Sequence, residues 1–149
     1  MRKLLVGVAC ALALAVPAAA QDREGWTYQF ANGVATATQT GENGRVTATM
    51  TCQPPTGDII LTDYTLARAA RRATVATVRI GALAVNVPMR LEGRGRNRTV
   101  VINLPQSPPI LAGVQPTDRL SVTINNQTHT YLEGGPAKMR EVAWACWGS

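Results

Sequence analysis

Alternation of apolar and polar residues is what most restricts the folds open to this chain. Val46, Ala48, Met50 and Cys52 are interleaved with Thr47, Thr49 and Thr51. Leu120, Val122 and Ile124 alternate with Ser121, Thr123 and Asn125. Leu83, Val85 and Val87 alternate with Ala84 and Asn86, and Val100, Ile102 and Leu104 with Val101 and Asn103. Successive side chains of a strand point to opposite faces, so a period of two specifies half-buried antiparallel strands. Further strands are expected at Trp26–Phe30, Val34–Gln39, Asp58–Leu66, Thr74–Ile80 and Thr128–Leu132. Seventeen threonines after residue 20, with frequent Val and Ile, favour the same pleated structure. Gly41-Glu42-Asn43-Gly44 and Asn125-Asn126-Gln127 supply hairpin turns, because Gly and Asn tolerate positive φ. Pro54-Pro55-Thr56-Gly57 ends the cysteine strand. Pro105, Pro108, Pro109 and Pro116 keep residues 105–117 out of a central strand, and a short helical turn is expected at Ile110–Val114.

The period changes at the C-terminal end. After Gly134-Gly135-Pro136, residues Met139, Val142, Ala143 and Cys146 recur at helical spacing, and proline suits a first helical turn. A helix is therefore expected over 136–147. Cys52 ends the apolar face of a strand and Cys146 ends the apolar stripe of this helix. A helix laid against the sheet brings the two sulfurs together from opposite layers. The expected disulfide closes a loop of 95 residues, both ends counted, and is worth about 4–5 kcal/mol by chain entropy before native strain is subtracted. The alternative is a pair of buried thiols.

The N-terminal segment reads as an address. Arg2 and Lys3 precede an uncharged run from Leu4 to Val16, Pro17 breaks it, and Ala18-Ala19-Ala20 offers small residues for a signal peptidase. Residues 1–20 are expected to be removed. The alternatives are a short membrane anchor or lipidation at Cys10. The remaining 129 residues have the length of one domain and carry net charge +4 with two cysteines, an even pair that favours a bridge in an oxidising compartment. A periplasmic or secreted location follows, with no membrane span after cleavage. The expected fold is mainly β, a small antiparallel β-sandwich or barrel, residues 21–149, with one C-terminal α-helix.

Leu120–Ile124, Tyr131-Leu132-Glu133-Gly134-Gly135 and the Cys146 helix give the chain a resemblance to small exported bacterial proteins. In those, a late strand, a Gly-containing turn and a Cys-bearing helix close a small β-fold. The resemblance covers roughly the last thirty residues and implies a compartment more than an activity. Met50-Thr51-Cys52 through Gly57 to Tyr64 is faintly similar to periplasmic lysozyme inhibitors, where a cysteine strand turns at a glycine into a tyrosine-bearing strand. The Ser/Gly/Lys inhibitory loop of that family is not evident here.

Few residues suit catalysis. His129 is the only histidine, between Thr128 and Thr130, and no carboxylate is nearer in sequence than Glu133. It is read as a surface or half-buried strand residue, with a hydrolase centred on it as a minor alternative. Asp58 and Asp63 fall on opposite faces of one strand and cannot act as a carboxylate pair unaided. No Gly-x-Ser-x-Gly, Walker loop or dinucleotide fingerprint occurs. Three cysteines and one histidine are too few for a Cys/His zinc site, so neither metal nor cofactor is expected.

Charge is the one departure from background. Residues 68–98 hold Arg68, Arg71, Arg72, Arg79, Arg90, Arg94, Arg96 and Arg98 against Glu92 alone, a net +7, and the rest of the chain after residue 20 sums to −3. Guanidinium forks suit phosphate, sulfate and carboxylate groups. Arg94, Arg96 and Arg98 alternate with Gly95 and Asn97, so in an extended loop they would project to one side. Arg68, Arg71 and Arg72 cluster in the preceding connection. The expected partner is an anionic glycan, a lipid head group or an acidic protein. Nucleic acid is disfavoured, because residues 65–130 contain no Phe, Tyr or Trp for stacking. Trp26, Tyr28 and Phe30 with Tyr131, Trp144 and Trp147 are expected to form one aromatic cluster if the first strand lies under the last helix. The functional reading is a non-enzymatic binding or accessory protein that uses its arginine face. The alternative is an inhibitor of a periplasmic or host hydrolase that plugs its target with a loop such as Pro105–Gln115.

Overall fold

The computed structural model describes residues 25–52, 58–104 and 113–147. The expected signal segment 1–20, the Pro54–Gly57 turn and most of the Pro105–Gln115 loop, with residues 110–112 of the expected helical turn, lie outside them. Among the described residues the chain forms β1 (Gly25–Ala31), β2 (Val34–Thr40), β3 (Val46–Cys52), β4 (Ile59–Asp63), β5 (Val75–Ile80), β6 (Leu83–Glu92), β7 (Thr99–Leu104), β8 (Leu120–Ile124) and β9 (Gln127–Thr130). Two short 3-10 turns, η1 (Leu66–Arg68) and η2 (Gly95–Asn97), interrupt the strands, and one α-helix, α1 (Gly135–Trp147), follows them. The fold is mainly β, as the alternation requires. The strands make one antiparallel sheet in the order β1-β2-β3-β4-β7-β6-β5-β8-β9, curled into a half-barrel.

The curl has identifiable causes. β6 serves both halves of the sheet, pairing through Leu83–Pro88 with β5 and through Met89–Glu92 with β7. Pro88, which has no N–H to give, sits where β6 changes partner. The Asn32-Gly33 turn between β1 and β2 places both residues at positive φ, 52° and 75°, the backbone a two-residue hairpin of the favoured hand demands. Side chains of β1 and β2 then reach the segment that follows β9. Trp26 Nε1 donates to the carbonyl of Leu132 at 3.2 Å, and the N–H of Leu132 donates to Gln39 Oε1 at 2.8 Å. Gln39 is buried and its amide also donates to Thr47 Oγ1, so its polar atoms are satisfied inside the core.

The inward stripes are those of the sequence. Ala35, Ala37, Ala48, Met50, Ile59, Leu61, Val78, Ile102, Leu120, Val122 and Ile124 are fully buried. Burying a side chain of Val, Leu or Ile size contributes about 1.5–3 kcal/mol. α1 covers β1, β2 and β3, and the alanines of β2 and β3 leave room for Met139 and Val142, both fully buried. Cys52 and Cys146 come together with Cα atoms 6.0 Å apart, the separation of a disulfide.

Three expectations need correction. β4 stops at Asp63 instead of running to Leu66, because the Asp63 carboxylate takes the N–H groups of Thr65 and Leu66 and turns the chain into η1. Residues 95–97 are a 3-10 turn, not the extended loop whose alternation would put Arg94, Arg96 and Arg98 on one side. The aromatic cluster is only partial. Trp26 packs on Tyr131 with ring centres 6.0 Å apart, but Phe30 and Trp144 are 56% and 78% exposed.

Candidate functional site

Two constructions meet around η1. The first is a cleft of about 350 Å³ lined by Ala67, Arg68, Arg71, Gly95, Arg96 and Arg98. Arg68 and Arg71 come from η1 and the turn after it, and Arg96 and Arg98 from the η2 connection between β6 and β7. The β4–β7 pairing and the contact of η1 with β7 bring these segments, some 25 residues apart in sequence, to one place. Arg72 and Arg94 are exposed nearby but do not line the cleft. All six of these arginines are exposed. Among the described residues, the four that line the cleft make no ion pair and no side-chain hydrogen bond. Glu92, the one acid within residues 68–98, is taken by Arg90, whose Nε donates to it at 2.8 Å while its Nη1 donates to Asn103. Four arginines thus line one cleft, and among the described residues none of them is paired with an acid.

The second construction is a buried polar network on the other flank of η1. Asp63 is fully buried, and both of its oxygens are saturated. Oδ1 accepts from the N–H of Thr65 at 2.6 Å, the N–H of Leu66 at 2.8 Å and the hydroxyl of Thr65 at 2.8 Å. Oδ2 accepts from Tyr131 OH at 2.7 Å and contacts His129 Nδ1 at 2.6 Å. His129 stacks at a tilt on Tyr131, ring centres 4.4 Å apart. Burial alone would push the Asp63 carboxyl up. The hydrogen bonds from His129 and Tyr131, with the His129 charge and the Leu66 N–H, outweigh it and hold the carboxyl below its usual range. Burial first, and then the adjacent Asp63 carboxylate, push the Tyr131 phenol well above its ordinary value. Both directions keep Asp63 ionised and Tyr131 a donor. Asn125 Nδ2 donates to the Ala69 carbonyl at 2.7 Å, so the β8–β9 hairpin grips η1 at both ends.

Sequence reasoning singled out six arginines, of which Arg68, Arg71, Arg96 and Arg98 line the cleft, and missed this network. Asp63 and His129 stand 66 residues apart, on strands with four others between them in the sheet, and they meet only because the sheet curls. The signal available in sequence was the polar Asp63 at the inward register of Ile59 and Leu61, which demands partners once buried. Asp58 is exposed, on the opposite face from Asp63, as its odd spacing requires. Among the described residues, no group of three or more His, Cys, Asp or Glu could hold a metal ion, and no helix is long and apolar enough to cross a membrane. Comparison with family models, with curated proteins and with solved structures finds no match for this chain.

Proposed function

We propose that this chain is an exported, non-enzymatic binding or accessory protein of the bacterial envelope that contacts an anionic partner through the arginine cleft. The observation that carries this reading is the convergence of Arg68, Arg71, Arg96 and Arg98 from two chain segments on one cleft, with no acidic residue among the described residues of its lining. Folded proteins neutralise or disperse like charges, and four unpaired guanidiniums in one recess are an unrelieved repulsion that an anion would relieve. Export rests on the tripartite leader ending at Ala20 and on the Cys52–Cys146 pair, which suits an oxidising compartment.

A catalytic reading has one point in its favour, the Asp63–His129 contact, because a carboxylate on one imidazole nitrogen is how a general base is oriented. Against it, the nearest hydroxyl, Thr65 Oγ1, lies 3.0 Å from that same Nδ1 and already donates to Asp63, so it is not placed as a nucleophile. The network supports the wall of the cleft rather than a reaction.

The test is retention of the processed protein on an anionic resin. Replacing Arg68 and Arg96 with Ser should weaken retention strongly, and replacing the exposed Arg45 and Arg119 with Ser, which removes the same charge, should weaken it only slightly. Equal losses would show that net charge alone governs binding. Intact mass of exported protein should correspond to a chain beginning at Gln21. A retained leader or an acylated Cys10 would refute the export arm.

A further inference from the structure

We infer that the arginine cleft takes a compact oligophosphate group, a diphosphate or triphosphate, in preference to a single phosphate or a long polyanion. This rests on the anion-binding reading above and narrows it to a chemical class.

Shape is the first ground. A cleft of about 350 Å³ holds on the order of ten waters at liquid density, room for a few linked tetrahedral anions. Its walls are set before any ligand arrives. On the η1 side, Asp63 fixes the entry through Thr65 and Leu66, buried Leu66 anchors the turn, and Asn125 holds Ala69. On the η2 side, the N–H of Asn97 donates to the Arg94 carbonyl at 3.1 Å. Gly93 lies at φ +81°, where a Cβ would stand 2.3 Å from the Asn97 carbonyl oxygen. Two pinned turns, rather than mobile loops, present the four arginines.

Chemistry is the second ground. The lining side chains offer donors and no acceptor, since a guanidinium has no lone pair to give. A ligand held there must present acceptors throughout. Phosphate oxygens do so, whereas a hydroxyl-rich glycan also needs acceptors for its own protons. Among the described residues no aromatic ring lines the cleft to give a nucleobase a platform. Charge is the third ground. Four unpaired forks exceed what a monoanion can satisfy, and a diphosphate spreads several charges over oxygens a short distance apart, where each fork can engage in parallel. The cationic surface does not continue as a track through Arg90, because Glu92 and Asn103 occupy that side chain.

The experiment is calorimetric titration of the processed protein at fixed ionic strength with sodium orthophosphate, sodium pyrophosphate and heparin, and with a prenyl diphosphate held in phosphatidylcholine vesicles. Pyrophosphate should bind about tenfold or more tightly than orthophosphate, as multiple charge-assisted forks predict. Binding to the vesicles as well would assign a lipid-borne diphosphate; binding to pyrophosphate alone would assign a free one. Arg68→Ser with Arg96→Ser should abolish the preference, and Arg45→Ser with Arg119→Ser should leave it intact. All four positions are exposed, so unchanged melting temperatures will show that both double variants are folded. If orthophosphate matches pyrophosphate while heparin still binds through the cleft arginines, the oligophosphate inference falls and the broader reading stands. If neither phosphates nor heparin bind, or if the control pair loses as much as the cleft pair, both fall.

Discussion

Asp63 concentrates more of this protein's polar chemistry than any other described residue, and its neighbours determine what its loss would do. Asp63→Ala would leave Tyr131 OH, His129 Nδ1 and the N–H groups of Thr65 and Leu66 without their acceptor. Removing one member of a buried charged network costs about 3–5 kcal/mol, so denaturant unfolding of this variant should show a loss of that order. Tyr131→Phe removes a single donor and should cost about 1–3 kcal/mol. The pH dependence has a definite sign. The folded carboxyl is held below its unfolded value, so its contribution is present above the unfolded pKa and is lost as pH falls through the folded one. The melting temperature should therefore fall on the acid side of the ordinary carboxylate range, and Asp63→Asn should flatten that fall. An unaltered acid profile in Asp63→Asn would show that other groups set it. None of this was legible in sequence beyond the inward register of Asp63. A strand pattern reports which face a residue occupies, not which distant strand will face it.

At the scale of elements, the strands were legible because burial on one face leaves a period of two, and α1 because its covered stripe leaves a period near 3.6. What sequence could not show is where local hydrogen bonding overrides the pattern. Asp63 truncates β4, and Gly93 and Gly95, both at positive φ, coil the Arg94–Arg98 segment that alternation read as extended. η2 is correspondingly sensitive. Gly93→Ala forces a Cβ into the Asn97 carbonyl at a φ that L-residues rarely adopt. It should weaken anion retention although every arginine remains; unchanged retention would mean that η2 need not keep its form. α1 is held by its apolar stripe and by Cys146. Cys146→Ala, or reduction, should lower stability by about 2–5 kcal/mol, and non-reducing peptide mapping of exported protein should recover the Cys52–Cys146 peptide pair. Free thiols in that material would refute the bridge.

Across the whole molecule, charge is polarised, +7 within residues 68–98 against −3 in the rest of the chain after residue 20. Surface substitutions usually change stability by less than about 0.5 kcal/mol. Removing two of four mutually repelling guanidiniums should therefore leave the melting temperature level or slightly higher, and never markedly lower. Salt screens such repulsion over about 8 Å at physiological ionic strength. Added salt should thus stabilise the native protein more than Arg68→Ser with Arg96→Ser, and an equal response from both would remove the repulsion argument. The Cys52–Cys146 pairing also orders assembly in time. A chain made from its N-terminus presents Cys52 on the third strand long before the helix bearing its partner exists, with six strands still to come. Among the described residues this pairing is one of the last long-range contacts that synthesis makes available, and it joins the helix to strands laid down near the start. A product interrupted anywhere within the sheet lacks the partner thiol, so oxidation of this pair marks a chain that has been carried through to its helix.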